Sequence, residues 1–281
     1  MNKNEKLIIF GDSGYIGSSL VSRLKSVNRD FSTAGRSQGN DVFLDLQNPH
    51  LEALDVLSAG DKFIFLAAVS SPEFCSKYYD EAFKINVVNT CKIIHALLSK
   101  NVKVLFASSD VVYGPTEEPV DELSSLQPSF HYAEMKAAVE KEFKTDSNFN
   151  VMRLSYVWSI DDKFTQFIVN SSRSQAPIEI FHPFIRSIIT LKDVLDFLIV
   201  YADLPEMLPP VINLAGPDFI SRVRLISEIS KYLKIEYTVV YPDDEFFRYR
   251  PERILMRSRF LASIIGRDPH SIASEIKNCF S

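Results

Sequence analysis

The stretch Lys6-Leu7-Ile8-Ile9-Phe10-Gly11-Asp12-Ser13-Gly14-Tyr15-Ile16-Gly17 carries an apolar run straight into three glycines spaced GxxGxxG. It limits the fold more than any other part of the chain. The apolar run reads as a buried strand, and Ile16 to Ser26, apolar at Ile16, Leu20, Val21 and Leu24, reads as the helix that follows. Strand, glycine turn and helix together form a cradle for phosphate. Gly11 permits the tight turn, Gly14 lets backbone N–H groups approach a pyrophosphate without a Cβ in the way, and Gly17 lets helix and strand pack closely. The positive end of the helix dipole then faces the phosphates. The plainer reading is a glycine turn that only packs a βα unit. The placement, after a buried strand and before an amphipathic helix, favours a dinucleotide.

Further strand and helix signals alternate, which points to parallel strands joined by helical crossovers. Phe31–Gly35, Asp41–Asp45, Lys62–Leu66, Val102–Ala107 and Asn150–Leu154 read as strands, and Tyr79 to Lys100 and Phe130 to Lys144 read as long helices. The expected fold is α/β, a Rossmann-type doubly wound parallel sheet with a smaller C-terminal substrate-binding lid. Residues 1–155 are assigned to the nucleotide-binding part, with elements at about 188–215 returning to it. Residues 156–187 and 216–281 are assigned to the lid, where Pro177, Pro183, Pro205, Pro209, Pro210 and Pro217 break up the pattern.

Bulk properties exclude several functions. With 31 basic and 36 acidic residues the net charge is −5, which argues against nucleic acid or an anionic membrane as partner. Cys75, Cys91 and Cys279 are odd in number and lack CxxC spacing, so neither a disulfide framework nor a zinc site is expected. Met1 to Glu5 lead into the first strand without a leader-like apolar segment, and no apolar run reaches the ~18 residues of a membrane span. A cytoplasmic protein without bound metal is the expectation.

The tip of the second strand decides the cofactor. A carboxylate there would accept from the ribose 2′-OH of NAD, whereas this tip reads Gly35-Arg36-Ser37. A guanidinium can grip a 2′-phosphate in a fork, so the reading is NADP(H), with Arg36 and Ser37 at the phosphate. Asp45-Leu46 could border the adenine, although Asp45 could equally cap a helix. For the chemistry, Tyr132-Ala133-Glu134-Met135-Lys136 sets a phenol and an ammonium at i, i+4 on one helix face. A positive neighbour lowers a phenol's pKa and would let Tyr132 exchange a proton with a substrate oxygen. The spacing alone arises readily by chance. Its weight comes from Ser109, at the end of the fifth strand one crossover earlier, whose hydroxyl can reach the same oxygen.

Gly11-Asp12-Ser13-Gly14-Tyr15-Ile16-Gly17, Phe65-Leu66-Ala67-Ala68, Lys84-Ile85-Asn86-Val87, Ser108-Ser109-Asp110-Val111-Val112-Tyr113-Gly114, Tyr132-xxx-Lys136 and Arg153-Leu154-Ser155 occur in this order. Together they resemble the extended short-chain dehydrogenase/reductase family, and within it the nucleotide-sugar epimerases, dehydratases and 4-ketoreductases. The likeness runs from about residue 6 to 157 and weakens to Ile188–Val194, Asn213–Pro217 and Arg250-Pro251. It implies that Tyr132 is the acid/base, that Lys136 holds the nicotinamide ribose and tunes Tyr132, and that Ser109 polarises the carbonyl. Asn86 would support the active-site helix, and Gly11, Ser13, Gly14, Tyr15, Ile16, Gly17, Leu66, Ala67 and Ala68 would line the cofactor. For Asn86 a helix-interior polar residue bonding its neighbour's backbone is the plainer alternative.

Dehydratases of this group follow the Ser/Thr-Asp with Glu, and the epimerase-reductases of the GDP-fucose kind carry Cys there; this chain has Val111, which moves no proton. Ser109-Asp110-Val111 is similar instead to the 4-ketoreductases of the dTDP-4-dehydrorhamnose reductase kind. The leading expectation is NADPH-dependent reduction of the C4 ketone of a nucleotide-linked 4-keto-6-deoxysugar. A 4-epimerase and a non-catalytic NADP-binding regulatory subunit stay open. Arg186, Arg222, Arg248, Arg250 and Arg257 are candidates for the substrate diphosphate, with Asp110, Arg186 and Arg250 named as substrate residues. His182, Phe246, Phe247 and Tyr249 either touch the substrate or pack the lid. The resemblance also implies a homodimer through the two long helices.

Overall fold

The computed structural model describes residues 5–204 and 208–281; Met1 to Asn4 and Pro205 lie outside the described residues. Its centre is a seven-stranded parallel sheet in the order Val211–Leu214, Phe149–Leu154, Lys103–Ser109, Lys62–Phe65, Leu7–Phe10, Ser32–Gly35, Val42–Phe43. The elements of the first half are β1 (Leu7–Phe10), α1 (Tyr15–Ser26), β2 (Ser32–Gly35), β3 (Val42–Phe43), β4 (Lys62–Phe65), α2 (Pro72–Lys77), α3 (Tyr79–Phe83), α4 (Thr90–Ser99), β5 (Lys103–Ser109), α5 (His131–Phe143) and β6 (Phe149–Leu154). Strand residues alternate between two cores, as a sheet covered on both faces requires. Ile8, Phe10, Phe63, Phe65, Val104 and Phe106 meet Ile93 and Leu97 of α4 and Val139 and Phe143 of α5. Leu7, Ile9, Ile64, Leu105 and Met152 turn the other way, onto Leu20 and Leu24 of α1.

The chain then leaves the sheet through β7 (Tyr156–Trp158), α6 (Lys163–Ser174), β8 (Ile178–Phe181) and β9 (Ile185–Thr190). It returns by α7 (Leu191–Asp203) to β10 (Val211–Leu214), which pairs with β6 in parallel, Val211 opposite Val151. Phe197 and Leu198 of α7 complete the α1-side core. Lys62, although in a buried strand, sends its ammonium to the carbonyls of Tyr201, Ala202 and Leu204 at 2.7–3.1 Å, where a helix end leaves acceptors unmatched.

A second excursion builds β11 (Phe219–Ser221), α8 (Arg222–Ile229), β12 (Tyr237–Val240), α9 (Asp244–Phe247) and β13 (Arg253–Ile254), followed by α10 (Leu261–Ile265) and α11 (Ile272–Phe280). β9 pairs with β7, β11 and β13, and β8 pairs with β12. Trp158, Ile168, Ile180, Ile188, Ile226 and Ile276 make a third, separate core for this region. Leu261 of α10 packs with the α1-side core instead.

The expected long helix from Tyr79 to Lys100 is interrupted in its hydrogen bonding. Lys84–Asn89 forms a π turn between α3 and α4, and the apolar spacing carries no sign of it. The small-residue loop after β4 is followed directly by α2, which starts at Pro72 under a Ser71 cap.

Candidate active site

The order of strands reverses between β1 and β4, and the cleft opens at their C-terminal ends, where ligands of such sheets sit. It has a volume of about 420 Å³. Gly11, Ser13, Gly14, Arg36, Ser37, Asp45, Leu46, Leu66, Ala67 and Ala68, all expected from the sequence, line it. Gly11 takes φ +99°, and a Cβ there would lie 2.8 Å from the Ala67 nitrogen. A Cβ on Gly17 would come within 2.1 Å of the Gly11 carbonyl oxygen, so α1 packs against the turn only because this residue is glycine. Gly14 caps α1 without a side chain, leaving the first-turn N–H groups without an intrahelical acceptor. This bare glycine cradle is shaped for the pyrophosphate of a dinucleotide.

Not every expected residue faces the cleft. Tyr15 contributes at most its backbone, because its hydroxyl donates to Ser159 Oγ at 2.7 Å, and Ile16 packs into the α1-side core. Asn86 acts from behind: its Oδ1 accepts from Val69 N–H at 2.9 Å and its Nδ2 donates to Val69 C=O at 2.8 Å, pinning the loop after β4. Arg36 stands exposed at the far end, its Nε 4.0 Å from Asp45 Oδ1.

Ser109, Tyr132 and Lys136, the expected catalytic residues, are not part of this lining and lie on β5 and α5. Lys136 is buried on α5 and donates from Nζ to the Ala107 carbonyl of β5 at 2.7 Å, with its ammonium 4.4 Å from the Phe106 ring centroid. Ser109 lies two residues further along β5, on the same face. Tyr132, one helical turn before Lys136, packs with Val111, Phe130, Tyr249 and Ile254. Cys75 and Met135 lie on its other side. The expected acidification of Tyr132 does not occur in this geometry. Burial, with Cys75 and Asp110 nearby, pushes the phenol well above its ordinary value, while Lys136 turns its charge to Ala107 and is itself lowered by burial to about 8. The phenol is therefore protonated at neutral pH.

Ser109 Oγ donates to Asp110 Oδ1 at 3.0 Å. Asp110 is buried, and Arg186 of β9 grips it side-on, Nε to Oδ2 at 3.1 Å and Nη2 to Oδ1 at 2.6 Å. Two of the expected substrate residues are thus bonded to each other across the site. The third, Arg250, pairs with Glu73 on α2. Of the other lid arginines, Arg222 is wedged between the rings of Phe164 and Phe184, 4.9 and 4.7 Å from their centroids, beside Tyr156 in a pocket of about 200 Å³. It has no carboxylate partner among the described residues. Arg248 and Arg257 lie over Tyr249 and Phe219. His182 meets Tyr241 edge-on, and Phe246 packs against Phe181, Phe184 and Phe247.

Sheet, glycine turn and cleft define a Rossmann-like protein. The chain belongs to the NAD dependent epimerase/dehydratase family, whose profile matches residues 7–209. It is similar to an N-acetyl-alpha-D-glucosaminyl-diphospho-ditrans,octacis-undecaprenol 4-epimerase of Escherichia coli O157:H7, 29% identical over 149 residues. That match spans 49% of this chain and 42% of the relative, less than half its length. Among solved structures, a dTDP-4-dehydrorhamnose reductase from Bacillus anthracis in complex with NADP superposes with a TM-score of 0.82 at 19% identity, covering 98% of each chain. A UDP-glucuronic acid 4-epimerase from Bacillus cereus, in complex with UDP-glucuronic acid and NAD, gives 0.79 at 17% identity over 98% of this chain and 100% of that one. At these identities the likeness establishes the fold.

Proposed function

We propose that the chain uses NADPH to reduce the 4-keto group of a nucleotide-linked 4-keto-6-deoxysugar. The observation that carries this reading is the company of Tyr132. A protonated phenol sits by the Ser109–Asp110 pair, and buried, apolar Val111 packs against it where elimination or 3,5-epimerisation would need another acid or base. Val111 moves no proton, so Tyr132 is left as the acid for reduction of a ketone. Arg36 at the tip of β2 favours NADPH, a consumed reductant, over the retained NAD of a 4-epimerase.

In this reading Gly11, Ser13 and Gly14 with the first turn of α1 hold the pyrophosphate, Asp45 and Leu46 border the adenine, and Leu66, Ala67 and Ala68 line the opposite wall. Arg36 and Ser37 meet the 2′-phosphate, and Arg36 is the reason for preferring NADPH to NADH. The reduced dinucleotide, when bound, supplies the hydride. Tyr132 donates its hydroxyl proton to the carbonyl oxygen, and Ser109 gives that oxygen a second hydrogen bond after turning from Asp110. Lys136, one helical turn on from Tyr132, holds the nicotinamide ribose. Arg222, held between the Phe164 and Phe184 rings beside Tyr156 and without a carboxylate partner among the described residues, anchors the substrate diphosphate. A cytoplasmic homodimer through α4 and α5 completes the proposal.

The test is to follow nicotinamide absorbance with a panel of 4-keto nucleotide sugars. NADPH consumption matched by product is expected, with Tyr132→Phe slower by at least about 100-fold while still binding NADPH. Full activity in that variant removes Tyr132 from the chemistry. Conversion of a nucleotide sugar without net cofactor consumption would make the chain a 4-epimerase.

A further inference from the structure

We propose that Asn89 is a positioning residue that holds the adenine-side wall of the cleft and so sets affinity for the adenosine half of the cofactor. The inference rests on the reading that a dinucleotide fills the cleft. Asn89 closes the π turn Lys84–Asn89 and is buried. Its Nδ2 donates to the Leu46 and Gln47 carbonyls, both at 2.9 Å, spending its two protons on consecutive acceptors of one loop.

Leu44 and Leu46 root that loop in the core, but its backbone carbonyls need a donor from outside it. β3 ends at Phe43, and beyond Leu44 N–H, which donates to Gly35 C=O at 3.0 Å, the segment leaves the ladder. Within it Gln47 N–H donates to Asp45 Oδ1 at 3.0 Å, a local turn that ties the loop to nothing else. No other donor among the described residues reaches the Leu46 or Gln47 carbonyl. The Leu46 and Gln47 carbonyls of the wall that Leu44, Asp45, Leu46 and Gln47 present to the cleft are therefore tied by one side chain, while Leu44 and Leu46 bury their own side chains in the α4-side core.

The π register makes this possible. Thr90 Oγ1 donates to the Ile85 carbonyl at 3.0 Å, satisfying an acceptor inside the widened turn. Asn86 and Asn89, three residues apart, are both buried and reach different walls, Asn86 to Val69 and Asn89 to Leu46 and Gln47. Asn89 also sets where Asp45 stands, and Asp45 is the carboxylate beside Arg36. A slack wall would disturb the adenosine end and leave the nicotinamide end, near Lys136, as it is.

The experiment titrates the whole chain with NADPH, adenosine 2′,5′-bisphosphate and reduced nicotinamide mononucleotide, with amide hydrogen exchange on the same samples. In Asn89→Ala, NADPH and the bisphosphate should each bind about tenfold more weakly, the mononucleotide should bind as before, and exchange should quicken only around residues 44–48. Asn89→Gln, which keeps both donors, should recover part of the loss. If the alanine variant does not fold, Asn89→Asp, of the same shape but without the donors, replaces it. Unchanged bisphosphate affinity, or an equal loss for both halves, overturns the proposal alone. A wild-type chain that binds no dinucleotide overturns it together with the functional reading.

Discussion

Burying Lys136 against Phe106 works against folding wherever the ammonium is charged. Its pKa is pulled down to about 8 by burial. Below that value both folded and unfolded chains carry the proton, and the folded one bears the full cost. Between about 8 and the ordinary lysine value of about 10.4 the unfolded chain holds a proton that the folded chain has released, so stability rises with pH across this window. Relative to Lys136→Met, the wild type should gain roughly 3 kcal/mol between about pH 7 and about pH 10, measured by urea denaturation. A flat difference would mean that Lys136 titrates normally. Arg36 makes a second, separable prediction: Arg36→Ala should raise KM for NADPH by about 10- to 100-fold and leave KM for NADH nearly unchanged. Tyr132, Lys136 and Ser109 were legible because a helical spacing and a strand end place them. The protonation of Tyr132 was not, since it depends on Cys75, Asp110 and burial contributed from distant parts of the chain.

At the scale of elements, the β1–turn–α1 unit is set by contact between two glycines. Gly17→Ala would put a methyl 2.1 Å from the Gly11 carbonyl oxygen, a backbone atom that cannot step aside. Destabilisation of at least about 1–3 kcal/mol is expected, with loss of dinucleotide binding, read by thermal melting with and without NADPH. Unaltered melting and binding would show that the helix can lift off the turn. A continuous apolar run and glycine spacing made this unit readable from sequence, and the alternation of strand and helix signals did the same for most of the central sheet. The π turn was not readable, because one added residue in a helical hydrogen-bond pattern leaves apolar spacing almost unchanged. Asn89 was missed for that reason: asparagine inside a helix gives no sign that its amide reaches a loop more than 40 residues earlier.

Across the whole molecule, Asp110 and Arg186 join the end of β5 to β9 through an ion pair whose carboxylate is buried. Removing one partner strands a charge, so Arg186→Met should cost about 3–5 kcal/mol, and adding Asp110→Asn should restore part of that loss. Arg250 is half-buried but its partner Glu73 is exposed, and Arg250→Met should change stability by no more than about 1 kcal/mol. Urea denaturation of the set decides the matter, and equal effects for Arg186 and Arg250 would contradict it. The smaller region was visible only as a loss of regularity after Ser155, because its strands are short and pair with partners far along the chain. Its construction bears on how such a protein can change. The polypeptide shuttles repeatedly between the central sheet and the smaller region, with β10 and α10 belonging to the former while lying amid the latter's sequence. A recombination event with a single breakpoint would therefore import part of the host scaffold along with any new recognition surface, and inheritance of altered selectivity should proceed by scattered point changes on β9 and α8 more readily than by exchange of a cassette.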